Sequence, residues 1–247
     1  MRSKTTESIG FLVILAVWFI AYFSKIYNPL LVPSPIYVVK TLLAFGVDSN
    51  FLFNLLATFV RVILAFIVSA LFGISLGLAV GHYKILNHAT EQLIDFLRSI
   101  PAIVLFPLFI LFFGVSDVSR LLVAIFIAVP IILINTKYGV INSSRLRKNL
   151  FKLYKLSKLK MFYKVILPEA SPYIFTGLKV AVSLIIIIII VTEMMLGTEY
   201  GLGQLLIKSQ YEFETAVMFA IIITLGVLGF VLNIGFNKFE KKIFHWR

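Results

Sequence analysis

The sequence lacks cysteine altogether and has few acidic residues. Among its 247 residues, 11 are acidic and 23 are basic. The absence of cysteine excludes disulfides, thiolate metal sites, iron–sulfur clusters and cysteine nucleophiles. No H-E-x-x-H or G-x-S-x-G motif occurs, and the three histidines are not spaced as a metal-binding set. The sequence therefore predicts neither catalytic residues nor a metal site, and we expect a protein that is not an enzyme.

The sequence also lacks a phosphate-binding loop of the type G-x-x-x-x-G-K-[ST]. Such a loop cradles nucleotide phosphates with backbone N–H groups and a lysine. A chain without it cannot hold ATP in that way. We therefore expect no cofactor on this chain, and any use of ATP and Mg²⁺ is expected on a separate partner subunit.

Hydrophobic residues, unlike cysteine and acidic residues, are abundant in this sequence. They make up 60% of the chain, and the mean hydropathy is +1.02. An ordinary soluble domain has roughly 45–50% apolar residues. The formal net charge of +12 could indicate nucleic acid as a partner. In membrane proteins, however, basic residues collect on the cytoplasmic side, so we expect a lipid bilayer and no nucleic acid.

The hydrophobic runs predict an all-α, polytopic membrane protein that forms one domain over residues 1–247. A membrane-crossing helix needs about 20 apolar residues. Six spans are predicted, at about residues 9–23, 53–81, 90–114, 121–136, 173–196 and 216–236. Pro35 to Phe45 is predicted as a short amphipathic helix at the membrane interface, and residues 197–214 as a polar loop with a short helix.

The distribution of basic residues predicts the orientation of these spans. With the N-terminus in the cytoplasm, residues 81–90, residues 138–172 and the C-terminal tail also lie there. Nearly all clustered lysines and arginines then fall on the cytoplasmic side, as the positive-inside rule requires. We therefore expect a multi-pass protein of the cytoplasmic (inner) membrane with both termini in the cytoplasm.

Small residues recur at four-residue intervals in the second predicted span. Ser69, Gly73, Gly77 and Gly81 stack on one helical face. Small side chains on one face let another helix backbone approach closely. This pattern predicts a helix-packing seam, which serves either as a fixed contact or as a sliding surface.

Two ionisable residues fall within predicted spans. Arg61 lies in the second span, and Glu193 lies at a similar depth in the fifth. A charge inside the bilayer requires a partner. The sequence predicts a structural ion pair between them, with the alternative that the Arg61 side chain extends to the membrane surface.

The basic segment 138–172 is the long polar interruption of the chain. Its second half and several other stretches resemble the inner-membrane permeases of binding-protein-dependent ABC importers, of the nitrate/sulfonate/taurine type. The stretches that carry the resemblance are residues 31–35, 58–62, 73–81, 98–101, 112–115, 164–179, 193–195 and 201–203. The resemblance implies a type I ABC importer permease fold in which segment 138–172 is a cytoplasmic coupling loop that docks on an ATPase.

The coupling motif of this family is altered in this chain. Counting back from Pro168, Asn149, Leu150 and Phe151 stand where the family has Glu-Ala-Ala, and Lys155 stands where it has glycine. Glycine permits turn conformations that lysine adopts only at a cost. An apolar docking face could still form from Tyr154, Leu156, Leu159 and Phe162. The alternative is a basic patch that contacts anionic lipid.

The resemblance implies a permease for a small polar, anionic solute. The expected partners are ABC ATPase subunits, an extracytoplasmic substrate-binding protein and a second permease copy, with ATP and Mg²⁺ on the ATPase. Two other classes stay open at the level of sequence. One is a secondary carrier or channel that works without ATP, and the other is a membrane scaffold subunit that does not transport.

Overall fold

The structure is a computed structural model that describes residues 4–24, 28, 31–144, 146–147, 153, 157–195 and 198–243. All regular elements in these residues are helical. Ten α-helices are numbered here in chain order: α1 Lys4–Phe23, α2 Pro35–Phe45, α3 Ser49–His82, α4 Lys84–Ser99, α5 Phe106–Phe113, α6 Asp117–Ile141, α7 Lys158–Met161, α8 Leu167–Met195, α9 Leu202–Tyr211 and α10 Thr215–Ile243. A 3₁₀ turn, Ala102–Leu105, precedes α5, and a π-helical turn, Phe162–Ile166, joins α7 to α8.

Four helical segments of the described chain are long and apolar enough to cross a membrane. They are Ser49–His82, Asp117–Ile141, Leu159–Met195 and Thr215–Glu240. A fifth crossing is possible if Lys84–Ser99 and Ala102–Phe113 count as one bent span. The first predicted span corresponds to a shorter apolar helix, Leu12–Phe23. The multi-pass helical architecture is thus confirmed. Four or five described segments meet these length and composition limits, whereas six spans were predicted.

The third predicted span is not a straight helix. Its two halves, Lys84–Ser99 and Ala102–Phe113, are bent by 85° relative to each other. Proline has no N–H and disfavours the helical conformation of the residue before it. Ile100 accordingly has an extended backbone, with φ −80° and ψ 119°, immediately before Pro101. Pro101 explains why the helix is interrupted here, but the size of the bend is a finding of the structure.

The predicted loop 138–172 is shorter in the structure. Helix α6 continues to Ile141, and the helical segment Leu159–Met195 already includes the π-helical turn and the first turns of α8. Thus the described helices enter the predicted loop from both ends. Pro172 lies inside this segment and removes one helical hydrogen bond without ending the helix.

The core of the fold is a layer of three helices, in which α6 packs against both α3 and α8. Its centre is filled by β-branched and small side chains that have no exposed surface, among them Val62, Ile132, Ile185 and Ile189. Helix α10 packs against α2 and α9. Helix α1 joins this group through Trp18, whose ring stacks on Phe219 with centroids 5.5 Å apart. Many large apolar side chains on the outer faces are exposed, as lipid contact requires.

Candidate functional site

The structure brings Arg61 and Glu193 together in the core. Glu193 lies in the last turn of α8 and has no exposed surface. Its Oε1 accepts a hydrogen bond of 2.7 Å from Arg61 Nη1, and its Oε2 accepts one of 3.0 Å from the backbone N–H of Gly203. The hydroxyl of Thr58 lies 2.9 Å from the same Oε2. A buried carboxylate is tolerated when its oxygens are bonded in this way.

The Arg61 guanidinium has oxygen partners from three directions. Besides Glu193, Nη1 donates to the carbonyl of Tyr200 at 2.8 Å, and Nε donates to Asp117 Oδ1 at 2.8 Å. Arg120 Nη1 donates to the same Asp117 oxygen at 3.1 Å. Two cations and two anions therefore neutralise one another. We call Thr58, Arg61, Asp117, Arg120 and Glu193 the Glu193 cluster.

The Glu193 cluster joins three helices to the segment that precedes α9. Thr58 accepts a hydrogen bond from the Leu202 N–H at 2.8 Å, and Asn54 Oδ1 accepts one from the Gly201 N–H at 2.7 Å. A Cβ atom at Gly201 would lie 2.6 Å from the carboxylate carbon of Glu193. Only glycine permits such an approach. These contacts position the start of α9 against α3 and α8.

Sequence reasoning missed most members of this cluster. Asn54 and Thr58 lie within two turns of Arg61 on one face of α3, and a polar stripe in an apolar helix is the signal that could have revealed them. Asp117 and Arg120 fall between two predicted spans, whereas the structure places them in the first turn of α6. Gly201 and Gly203 gave no sign in the sequence of their contact with Glu193.

The predicted packing seam lies against α6. Ser69, Gly73 and Gly77 are buried, and Gly81 is partly buried. A Cβ atom at Gly73, Gly77 or Gly81 would come within 2.5 to 2.7 Å of a side-chain Cβ on α6. The three facing residues also repeat every four positions, and they are Ile132, Thr136 and Val140. The two helix backbones therefore approach each other along three consecutive turns.

Most of the predicted coupling residues lie outside the described part of the chain. These are Asn149, Leu150, Phe151, Tyr154, Lys155 and Leu156. Leu159 and Phe162 are described, and both line a cavity of about 370 Å³ beside the C-terminal end of α3. Pro168 lies in the first turn of α8. The described part of the predicted docking face thus adjoins the turn between α3 and α4.

Glu169 connects the start of the predicted loop to α8. Its Oε2 accepts a hydrogen bond of 2.5 Å from the Ser144 N–H, and its Oε1 lies 2.8 Å from Arg147 Nη1. The Arg147 side chain is 66% exposed, so the ion pair contributes little stability by itself. Its position is more informative, because it joins the chain after α6 to the first turn of α8.

The chain resembles known proteins over most of its length. Residues 69–245 match the sequence model of the family described as binding-protein-dependent transport system inner membrane component. The chain is 31% identical to the formylaminopyrimidine transport permease protein ThiX of Halalkalibacterium halodurans, over 96% of this chain and 94% of that protein. It is 27% identical to the taurine transport system permease protein TauC of Escherichia coli (strain K12), over 100% of this chain and 91% of that protein.

A third relative and a solved structure extend these comparisons. The chain is 31% identical to the nitrate import permease protein NrtB of Leptolyngbya laminosa, over 76% of this chain and 67% of that protein. The fold is similar to a chain of the MetNI methionine ABC transporter in an inward-facing conformation, with a TM-score of 0.64 and 18% identity. That alignment covers 79% of this chain and 99% of the MetNI chain, and it shows a shared fold.

Proposed function

This chain belongs to the family of inner-membrane components of binding-protein-dependent transport systems, and from this membership we propose how it works in an ATP-driven importer. It is a non-catalytic, multi-pass permease subunit of an ABC importer, and ATP hydrolysis belongs to a separate subunit. The observation that carries this function is the family match over residues 69–245, which begins in the middle of α3 and includes every described element after it.

The proposed substrate is a small polar solute that carries an oxyanion group. The named relatives import nitrate and taurine, and another relative, which is 31% identical, is a bicarbonate permease of Synechococcus elongatus. Nitrate, bicarbonate and the sulfonate of taurine each spread a negative charge over two or three oxygen atoms. The formylaminopyrimidine permease extends the range to a solute without such a group. The shared chemistry of the other relatives supports the anionic class.

The proposed partners follow from this kind of importer. They are two ABC ATPase subunits that bind ATP and Mg²⁺, a substrate-binding protein outside the membrane and a second copy of this permease. ATP binding would close the two ATPases, and the permeases would respond by alternating access to the two sides. Both termini are proposed to lie in the cytoplasm, because that orientation places the clustered basic residues inside.

Segment 138–172 is proposed to couple the permease to its ATPase. Support comes from the contacts of Glu169, which bonds Ser144 and Arg147 at the start of the segment. A displacement of the docked loop would therefore act directly on the first turn of α8. Since Glu193 lies in the last turn of α8, one helix connects the coupling loop to the Glu193 cluster.

Co-purification with the ATPase subunit tests this function. Deletion of residues 148–160 should abolish the association of the permease with the ATPase. A matched control replaces these residues with a scrambled sequence of the same composition, which keeps the charge but removes any docking face.

If residues 148–160 dock on the ATPase, both variants should lose it. If these residues instead form a basic patch on anionic lipid, the scrambled variant should keep the wild-type membrane association and ATPase binding. An intact complex after the deletion would contradict the coupling role. Substrate-stimulated ATP hydrolysis by the wild-type complex would separate a transporter from a scaffold.

A further inference from the structure

The bend between α4 and α5 lies beside a cavity of about 400 Å³. Helices α4 and α6 form its walls, and residues Ile100, Pro101 and Ala102 of the bend form part of its lining. The walls are mostly apolar, and they include Phe126 and Pro130 of α6. The volume falls within the range of about 300–1,000 Å³ that is typical of small-molecule sites.

The break between α4 and α5 interrupts the backbone hydrogen bonds of a helix inside a membrane domain. Broken helices leave backbone groups without their usual partners, and lipid offers none. Such backbone is tolerated where it is enclosed by protein or lines a water-filled cavity. Pro130 leaves one more backbone group without its helical partner, because it has no N–H to donate to the carbonyl of Phe126. The bend and the α6 wall therefore favour a cavity that contains water or a polar solute.

The charged group of this cavity is Arg98, in the last turn of α4. Three other cations of the described helices, Arg61, Arg120 and Lys179, each contact a carboxylate. Arg98 forms no ion pair within the described chain, and Asp95, one turn earlier, lies outside ion-pair distance. Arg98 is exposed, on a helix that belongs to a membrane span if the bent pair Lys84–Ser99 and Ala102–Phe113 is one span, and an ionisable residue in such a span is a candidate functional group.

Asn135 of α6 provides the second polar group of the cavity. Its Nδ2 donates to the carbonyl of Ile131 at 2.8 Å. One amide hydrogen and the Oδ1 acceptor remain for another partner. A guanidinium offers several N–H groups in a plane, which suit the oxygens of a carboxylate, sulfonate or similar anion.

We propose that the cavity at the bend is a substrate-contact site on the translocation path, where Arg98 binds the oxyanion group of the solute and Asn135 provides a further polar contact. This inference rests on the proposed function and deepens it. It assigns anion preference to the permease itself, in addition to any selection by the substrate-binding protein. The cavity volume of about 400 Å³ suits a small solute.

Charge-selective labelling tests the site without any need for transport. The natural chain has no cysteine, so Ile134→Cys, in the cavity wall, creates a single reactive thiol in the purified full-length permease. The probes are an anionic sulfonatoethyl and a cationic trimethylammonioethyl methanethiosulfonate. A positive site raises the local concentration of an anion by about tenfold or more. Introducing Arg98→Gln should therefore slow the anionic reagent about tenfold and should not slow the cationic one.

Two controls keep this experiment interpretable. Tyr211→Cys, on the exposed part of α9, should react with both reagents at rates that Arg98→Gln leaves unchanged. Lys84→Gln, which removes an exposed cation from the other end of α4, should leave labelling of Ile134→Cys unchanged. Equal slowing of both reagents, or no slowing of the anionic one, would overturn the proposal. Arg98→Lys should retain most of the anionic rate, which separates lost charge from lost folding.

Uptake by the complete complex provides the second test. With nitrate, bicarbonate and taurine as the probes, Arg98→Gln should raise the KM for ATP-driven uptake about tenfold or abolish uptake, while Lys84→Gln matches the wild type. If the wild-type complex takes up a probe and Arg98→Gln does so with the same KM, this inference fails and the proposed function stands. If the wild type shows no ATP-driven uptake, the proposed function fails, and the labelling experiment still decides whether the cavity selects anions.

Discussion

Replacing Glu193 with alanine should destabilise the permease strongly. The change removes the carboxylate that bonds Arg61, Thr58 and the Gly203 N–H, and it leaves the guanidinium of Arg61 mostly buried. Removing one partner of a buried ion pair costs about 3–5 kcal/mol of unfolding free energy. For a chain of this size, 1 kcal/mol lowers Tm by about 2–4 °C. The expected loss in Tm is therefore roughly 10 °C.

The assay is thermal unfolding of the detergent-purified protein, followed by intrinsic fluorescence and by the fraction that stays monodisperse after heating. The matched control is Glu212→Ala, which breaks an exposed ion pair of 4.0 Å with Lys208 on α9. An exposed pair of this kind contributes about 0.3–0.5 kcal/mol, or about 1 °C. If Glu193→Ala lowers Tm no more than Glu212→Ala does, the structural role assigned to the Glu193 cluster is wrong.

A double variant separates the ion pair from the packing around it. Replacing Arg61 with methionine and Glu193 with leucine removes both charges and keeps much of the apolar volume. Apolar replacements of both members of a buried pair are often close to neutral, whereas single replacements leave an uncompensated charge. The double variant should thus lose less stability than the sum of the two single variants, by at least about 1 kcal/mol. Additive losses would mean that the two side chains act independently.

Two further predictions concern the packing seam and the coupling loop. Gly77→Ala should lower Tm by several degrees, because the new Cβ would lie 2.5 Å from the Thr136 Cβ and overpacking costs about 1–3 kcal/mol. The control is Gly226→Ala, which should leave Tm unchanged or raise it, because no atom from another part of the described chain lies within 4 Å of the new Cβ. A fall in Tm for both variants would point to a general effect of alanine. Arg147→Ala should reduce the amount of solute transported per ATP hydrolysed without releasing the ATPase, because it removes a contact with Glu169 but no part of residues 148–160. An unchanged ratio of solute to ATP would show that the Arg147–Glu169 contact does not take part in coupling.

Some elements could be predicted from the sequence because local chemistry decides them. The helix Pro35–Phe45 follows Pro33 and begins with Pro35, a residue type that helix starts tolerate. The short helix α9 lies within the polar loop where the sequence predicted one. The close approach of α3 to α6 follows from the four-residue spacing of small residues, which depends only on helical periodicity.

Other features depend on contacts between distant parts of the chain. Thr58 and Gly203 are 145 positions apart, and nothing in the sequence indicates that they meet. Their importance comes from the shared contact with Glu193, which only the packed helices create. The 85° bend is similar, because a proline predicts an interruption, whereas the angle depends on how α4 and α5 pack against α6. The cavity at that bend was therefore not visible in the sequence.

The central claim is that this chain is the membrane-crossing part of an importer driven by ATP. The most direct measurement is uptake of labelled nitrate, bicarbonate and taurine into proteoliposomes that contain the permease with its ATPase. The binding protein is supplied on one side and ATP with Mg²⁺ on the other. We predict uptake of at least one of these anions that requires both and stops when residues 148–160 are deleted. Uptake that continues without ATP and follows an ion gradient would contradict the account and would identify a secondary carrier.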